Sequence, residues 1–197
     1  MDDVVIIGGG IIGTATAYFL SKEGRKVKVI ERDPTYKTAS FPLSLGGFRR
    51  QFFQKENILL GKFARDFIFK IPEVLKTEKN PNPTASMVTN GYLLMFGPEH
   101  AEEQYRALEN HKECDAGTKN IKGSELSNVF PYINNDGIET ATYTDNQSEG
   151  WIDPFMFHGA LKSKAIELGA EFIKGEVKSI SEIKAKTIVS AAGCWTK

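Results

Sequence analysis

One segment restricts the fold of this chain more than any other. The apolar run Val4-Val5-Ile6-Ile7 is followed at once by Gly8-Gly9-Gly10-Ile11-Ile12-Gly13. The run is β-branched and reads as a strand buried on both faces. Residues 14–23 then read as a helix with Ala15, Tyr18 and Phe19 on one stripe, stopped by Gly24. Val27-Lys28-Val29-Ile30 is a second strand, ending at Glu31. Strand, helix and strand within about thirty residues make a βαβ unit, which sets the two strands parallel.

The glycine spacing is that of a dinucleotide-binding turn in its proper setting. Gly8 permits the tight turn, Gly10 lets the backbone approach a pyrophosphate, and Gly13 lets helix and strand pack closely. Amides of the first helical turn, near Ile11 and Ile12, point at the phosphates. Glu31 lies 18 residues after Gly13, where its carboxylate accepts both ribose hydroxyls of an adenosine and repels a 2′-phosphate. NADP is therefore disfavoured. A dehydrogenase using NAD continues with a second compact βαβ step. Here residues 38–52 form an irregular stretch of hydroxyls, glycines and arginines. Such a segment can run beside a longer cofactor, so FAD is the expected ligand.

The remaining pattern is mixed. Residues 56–71 read as a helix with Leu59, Phe63 and Phe67 on a core stripe, and residues 77–89 as a loop. Residues 92–96 read as a strand and 98–112 as a charged, outlying helix. Residues 124–130 read as a short helix and 138–143 as a half-buried strand. Asp153-Pro154 starts a helix that runs to Leu168 and is closed by Gly169. Residues 171–173, 176–180 and 187–191 read as strands. Equal numbers of Lys plus Arg and Asp plus Glu, 25 each, argue against a general nucleic-acid binder. No run of 18 apolar residues occurs, so no membrane span is expected. Two cysteines argue against a disulfide scaffold, and the three histidines share no metal spacing. The opening residues show no cleavable leader. The expected location is cytoplasmic, or the mitochondrial matrix if a leader has been removed.

The ordered set of motifs resembles the D-amino-acid oxidase-like FAD-dependent oxidoreductases, the sarcosine oxidase and dimethylglycine dehydrogenase type. Its carriers are the N-terminal fingerprint, Leu45-Gly46-Gly47 with Arg49, Gly150-Trp151-Ile152-Asp153-Pro154, Gly175-Glu176-Val177 and the segment from Val189 to Trp195. Glu31-Arg32-Asp33-Pro34, Gln51-Phe52 and Phe130-Pro131-Tyr132 look most like the branch of the mitochondrial complex I assembly oxidoreductase and its bacterial relatives. The resemblance implies that Gly8, Gly10 and Gly13 take the pyrophosphate, Glu31 the adenosine ribose, and Arg32 the flank of the adenine. It implies that Ser40, Ser44, Leu45, Gly46 and Gly47 line the pyrophosphate and flavin side. Val177 would bond the adenine through its backbone, and Ala191, Gly193 and Trp195 would pack along the ADP portion. Two departures stand out. Only nine residues, 178–186, separate Val177 from Thr187, where the family usually inserts a β-hairpin. The chain also ends before the family's second glycine-rich segment, so an N-terminal half is expected, inactive alone.

Arg49 and Arg50 read either as a solvated loop pair or as facing the flavin edge or an amino-acid carboxylate, with Arg49 the candidate. His158 reads as structural, Cys194 as buried packing and Trp151 as a core anchor. The expectation is an α/β protein: a Rossmann-like FAD-binding domain with a parallel sheet (1–79 and 151–197), plus part of an antiparallel α+β substrate domain (80–150). The whole enzyme would oxidise the C–N bond of an amino acid or N-methylated amine by hydride transfer to flavin, with a small-molecule substrate as partner and an unknown electron acceptor. The alternatives are a non-enzymatic flavoprotein acting as a respiratory-complex assembly factor, or a non-functional gene fragment.

Overall fold

The computed structural model describes residues 2–144 and 147–196. The strands are β1 (Asp2–Ile7), β2 (Val27–Glu31), β3 (Gly47–Phe48), β4 (Leu93–Phe96), β5 (Lys119–Lys122), β6 (Thr140–Tyr143), β7 (Gly150–Trp151), β8 (Glu171–Lys174) and β9 (Ala185–Ser190). The helices are α1 (Ile11–Lys22), α2 (Lys55–Phe69), α3 (Ile71–Val74), α4 (Pro98–Glu113), α5 (Leu126–Val129) and α6 (Pro154–Glu167). The chain packs as two units.

The first unit comprises Met1–Gly46, Lys70–Ser86 and Ile152–Lys197. Its sheet is wholly parallel, in the order β8-β2-β1-β9. β1 is central, and its Val4, Val5 and Ile6 are buried, as a strand flanked on both sides must be. α1 begins three residues earlier than its apolar stripe suggests, because Gly10 in extended geometry serves as its N-cap. Its buried face is small: Gly13, Thr14, Ala17 and Ser21 beside Tyr18, while Phe19 is exposed. These small residues let α1 pack closely on α6, which buries Ala160, Leu161 and Ala165. α6 starts as expected, with the Asp153 carboxylate accepting from the Met156 N–H at 2.9 Å and Pro154 in the first turn. Residues 176–180 do not form the expected strand. β2 ends at Glu31, and the Gly175 N–H to Glu31 carbonyl bond (2.9 Å) is the last that β8's edge can find there. The chain turns instead through a short 3₁₀ segment at Ile180–Glu182.

The second unit comprises Gly47–Phe69 and Met87–Trp151, so residues 47–69 pack with the antiparallel strands and not with the glycine turn. Its main sheet is antiparallel, β4-β6-β5, with β3 and β7 paired separately. β5 reads Lys-Asn-Ile-Lys and shows too little apolar content to be seen from sequence. The helix expected at 98–112 does not lie outside. α4 buries Ala101, Gln104, Ala107 and His111, and Gln104 Nε2 donates to Thr142 Oγ1 of β6 at 3.4 Å. Small and polar residues make that face, so hydropathy hides it. The Leu59-Phe63 stripe of α2 is exposed, whereas Ile58 and Ile68 are buried. Ile58, Gly61, Arg65 and Ile68 share the other helical face, and Gly61 sits against the Arg49 carbonyl. Trp151, the expected core anchor, is 42% exposed. No helix among the described residues is long and apolar enough to cross a membrane.

Candidate nucleotide-cofactor site

The carboxyl ends of β1, β2 and β9 open onto a cavity of about 240 Å³ in the first unit. Gly8, Gly10, Ile11, Ile12, Glu31, Arg32, Ser40, Val177, Ala191, Gly193 and Trp195, all expected from sequence, line it. In open α/β sheets this end of the strands is where ligands bind.

The three fingerprint glycines are glycine for different reasons. Gly8 has φ +99°, and a Cβ there would lie 2.5 Å from the Ala191 carbonyl oxygen. At Gly13 a Cβ would lie 1.9 Å from the Gly8 carbonyl oxygen, so α1 could not sit against the turn. At Gly10 neither reason holds. Its φ of −64° and ψ of −174° suit any residue, and a Cβ would meet nothing within 4 Å. The space it leaves is the cavity itself. Nothing among the described residues requires a glycine at position 10, which points to a group from outside.

Polar groups around that space divide into used and unused. The Gly8 N–H donates to the Ile30 carbonyl at 2.9 Å, and the Gly9 N–H to Glu31 Oε2 at 2.6 Å. The first helical bond is from the Thr14 N–H to the Gly10 carbonyl, at 2.9 Å. The N–H groups of Ile11, Ile12 and Gly13 therefore precede the helical ladder and favour an anion at this end. The Glu31 carboxylate is held at both oxygens, since Oε1 accepts from the Asp33 N–H at 2.8 Å. Each oxygen retains a second lone pair. Across the cavity rim the Arg32 guanidinium lies 4.1 Å from the centre of the Trp195 ring.

Beneath the turn, two buried side chains converge on the Gly9 carbonyl. Thr14 Oγ1 donates to it at 2.8 Å, and His158 Nε2 lies 2.8 Å from it and 3.0 Å from Thr14 Oγ1. Burial lowers the His158 pKa, so the ring is neutral at neutral pH. The Tyr36 ring packs edge-on against it, with centroids 4.4 Å apart. Lys162 Nζ donates to the Tyr36 hydroxyl at 2.9 Å. Burial, with Glu31 and Asp33 nearby, pushes the Tyr36 pKa up to about 12, so the phenol stays protonated.

Other expected residues lie elsewhere. Ser44, Leu45 and Gly46 do not line this cavity. Ser44 Oγ donates to the Phe41 carbonyl at 2.7 Å and accepts from the Gly46 N–H at 3.2 Å, closing a turn whose tip, Leu45, is 93% exposed. Gly47 and Arg49 belong to the second unit and line a different depression of about 440 Å³ with Phe52, Asn57, Leu60 and Tyr92. There the Arg49 guanidinium lies 4.8 Å from the centre of the Phe52 ring. Cys194, expected in packing, is exposed at the cavity edge. Sequence reasoning assigned nothing to Glu149. It is fully buried in the second unit, and its carboxylate accepts from the Arg50 N–H, from Gln51 Nε2 (2.9 Å) and from Thr144 Oγ1 (2.8 Å).

Comparison with known proteins places this geometry in a family. The family model described as FAD dependent oxidoreductase (DAO) matches residues 3–197. The chain is 38% identical over 196 residues to FAD-dependent oxidoreductase domain-containing protein 1 of Xenopus laevis, covering 95% of this chain and 38% of the relative. It is 27% identical over 211 residues to the mitochondrial dimethylglycine dehydrogenase of Rattus norvegicus, covering 99% of this chain and 24% of that protein. Among solved structures, L-proline dehydrogenase of P. horikoshii superposes with a TM-score of 0.75 at 26% identity, over 98% of this chain and 53% of that one. The chain thus spans well under two thirds of the length of the relatives it matches. With the fold, the glycine turn and the whole-chain match in agreement, the chain belongs to the FAD-dependent oxidoreductase family, whose cofactor is FAD.

Proposed function

We propose that this chain supplies the ADP-binding half of an amine-oxidising flavoenzyme's FAD site. The residues present fit that group. The cavity lies at the carboxyl ends of the parallel strands, beside the glycine turn and the Glu31 carboxylate, where an open α/β sheet takes its ligand. Gly10 leaves room for a phosphate, Ile11 and Ile12 line the same space with first-turn amides outside the helical ladder, and Glu31 offers a fixed carboxylate for the ribose hydroxyls. Arg32 and Trp195 flank the adenine, the Val177 backbone bonds its edge, and Ser40, Ala191 and Gly193 complete the wall. The first unit reads as the FAD-binding domain and the second as part of a substrate domain, so residues 47–69 move from the expected FAD-binding bounds to the substrate side. Ser44, Leu45, Gly46, Gly47 and Arg49 are assigned to the flavin side, with Arg49 facing its electron-rich edge or a substrate carboxylate.

FAD, when bound, accepts the hydride lost from the substrate carbon. The chain's own work is to bind and orient. Its peptide amides neutralise the pyrophosphate, and Glu31 selects an unphosphorylated ribose. The proposed substrate class is an amino acid or N-methylated amine. The observation that carries it is the whole-chain likeness to an enzyme named for dehydrogenating proline, with a relative named for dehydrogenating dimethylglycine. Both named molecules are amines bearing a carboxylate. The test is anaerobic mixing of the FAD-loaded full-length protein with sarcosine, dimethylglycine, proline and a panel of D- and L-amino acids. Bleaching of the oxidised-flavin absorbance by one of them is expected. A flavin that binds tightly yet is reduced by none of them would overturn the amine reading and favour a non-enzymatic role.

A further inference from the structure

We propose that His158 is a positioning residue for the cofactor pyrophosphate, acting through the peptide that joins Gly9 to Gly10. The inference rests on the cofactor reading above and deepens it.

The argument starts from peptide geometry. A trans peptide holds its C=O and the following N–H in one plane, pointing in opposite directions. Whatever fixes the Gly9 carbonyl therefore aims the Gly10 N–H the other way. The Gly9 carbonyl points into the protein, where Thr14 Oγ1 (2.8 Å) and His158 Nε2 (2.8 Å) both reach it. A carbonyl oxygen has two lone pairs, and these two donors use both. Thr14 and His158 are 0% and 3% exposed, so water does not compete for that oxygen. The Gly10 N–H consequently turns away from the interior, on the side where Gly10 lines the cavity.

The contact also fixes the imidazole. Nε2 must carry the proton to donate to a carbonyl, which leaves Nδ1 bare. Packing of Tyr36 edge-on against the ring holds its plane, and α6 holds its backbone. Residue 9 is pinned at its other end as well, because its N–H donates to Glu31 Oε2 at 2.6 Å. Glu31 keeps its own second hold, from the Asp33 N–H at 2.8 Å, so the ribose carboxylate does not depend on His158, which fixes only the phosphate-binding peptide. His158 touches neither ligand group itself. Its effect is confined to where the turn's amide points.

The test compares three ligands on the full-length protein: FAD, ADP and adenosine, each titrated by calorimetry. His158→Leu removes the donor, and His158→Gln restores an N–H at a similar reach. Loss of one neutral hydrogen bond predicts a roughly 3–10-fold weakening of FAD and ADP binding in His158→Leu. Adenosine, which lacks the pyrophosphate, should bind unchanged, and His158→Gln should return FAD affinity to within about 3-fold of wild type. Should His158→Leu fail to fold, Thr14→Val removes the other donor to the same carbonyl, and the same ligand pattern is expected. Equal weakening for adenosine, or no weakening for any ligand, would overturn the positioning role. A wild-type protein that binds none of the three would instead overturn the cofactor reading, and the inference with it.

Discussion

Replacing Gly10 with Val separates ligand binding from folding more cleanly than any other change in the turn. In the apo protein the substitution meets no obstacle. The φ and ψ of −64° and −174° lie in the extended region that β-branched residues favour, and the new Cβ has no protein atom within 4 Å. Two small effects oppose each other. A non-glycine residue at a compatible position stabilises by about 0.4–1 kcal/mol through the unfolded chain. An aliphatic N-cap costs a similar amount relative to Gly. Apo stability should therefore change by no more than about 1 kcal/mol, a Tm shift of roughly 2–4 °C for a chain of this size. FAD binding should suffer heavily, because the side chain stands where a phosphate would approach the amide. Loss of one hydrogen bond to a charged group costs about 1.5–3 kcal/mol, or roughly 10–100-fold in affinity. The assay is calorimetric unfolding of flavin-free protein, since bound ligand raises the apparent stability, followed by FAD titration. Wild-type FAD affinity in Gly10→Val would refute the reasoning, and so would an unfolded apo protein.

Further outcomes follow from neighbouring residues. Gly13→Ala should destabilise the protein with or without FAD, because its Cβ would lie 1.9 Å from the Gly8 carbonyl oxygen; chemical denaturation of the apo form measures this. Glu31→Ala should weaken FAD by roughly 10–100-fold through loss of hydrogen bonds to a charged acceptor, and unchanged affinity would remove the ribose assignment. Glu149→Gln should cost about 1–3 kcal/mol, since an NH₂ group would face a set of donors that now share a carboxylate; urea unfolding reads it. Burial lowers the His158 pKa below its ordinary 6.5. The unfolded chain therefore binds the proton first, and stability present above pH 6.5 falls as pH drops through the folded value. His158→Gln should flatten that part of the pH profile of unfolding.

What could be read from the sequence was local. Gly8, Gly10 and Glu31 stand at spacings set by one turn, one helix and one strand, so their placement around the cavity follows from short-range geometry, and Gly13 packs the helix against the turn behind them. Asp153-Pro154 likewise announces α6 by its own capping chemistry. What could not be read depends on long-range pairing. His158 meets Gly9 across 149 positions, and Glu149 meets Gln51 across 98. No period or spacing links such partners. Faces built from glycine, alanine and polar side chains were also invisible. That is why hydropathy places α4 outside and marks Leu59 and Phe63, which are exposed, as the buried stripe of α2. The placement of β5 has the same cause. Its polar residues pair along β6 through backbone bonds that need no apolar signal.

The central claim is that the cavity beside Gly10 and Glu31 receives the ADP half of FAD. Competition between FAD and ADP tests this most directly. Flavin fluorescence is followed as ADP is added to the FAD-loaded full-length protein, with FMN as the second competitor. The account predicts that ADP displaces FAD and that Glu31→Ala weakens ADP and FAD by the same factor. Displacement by FMN but not by ADP, or ADP binding indifferent to Glu31→Ala, would contradict it.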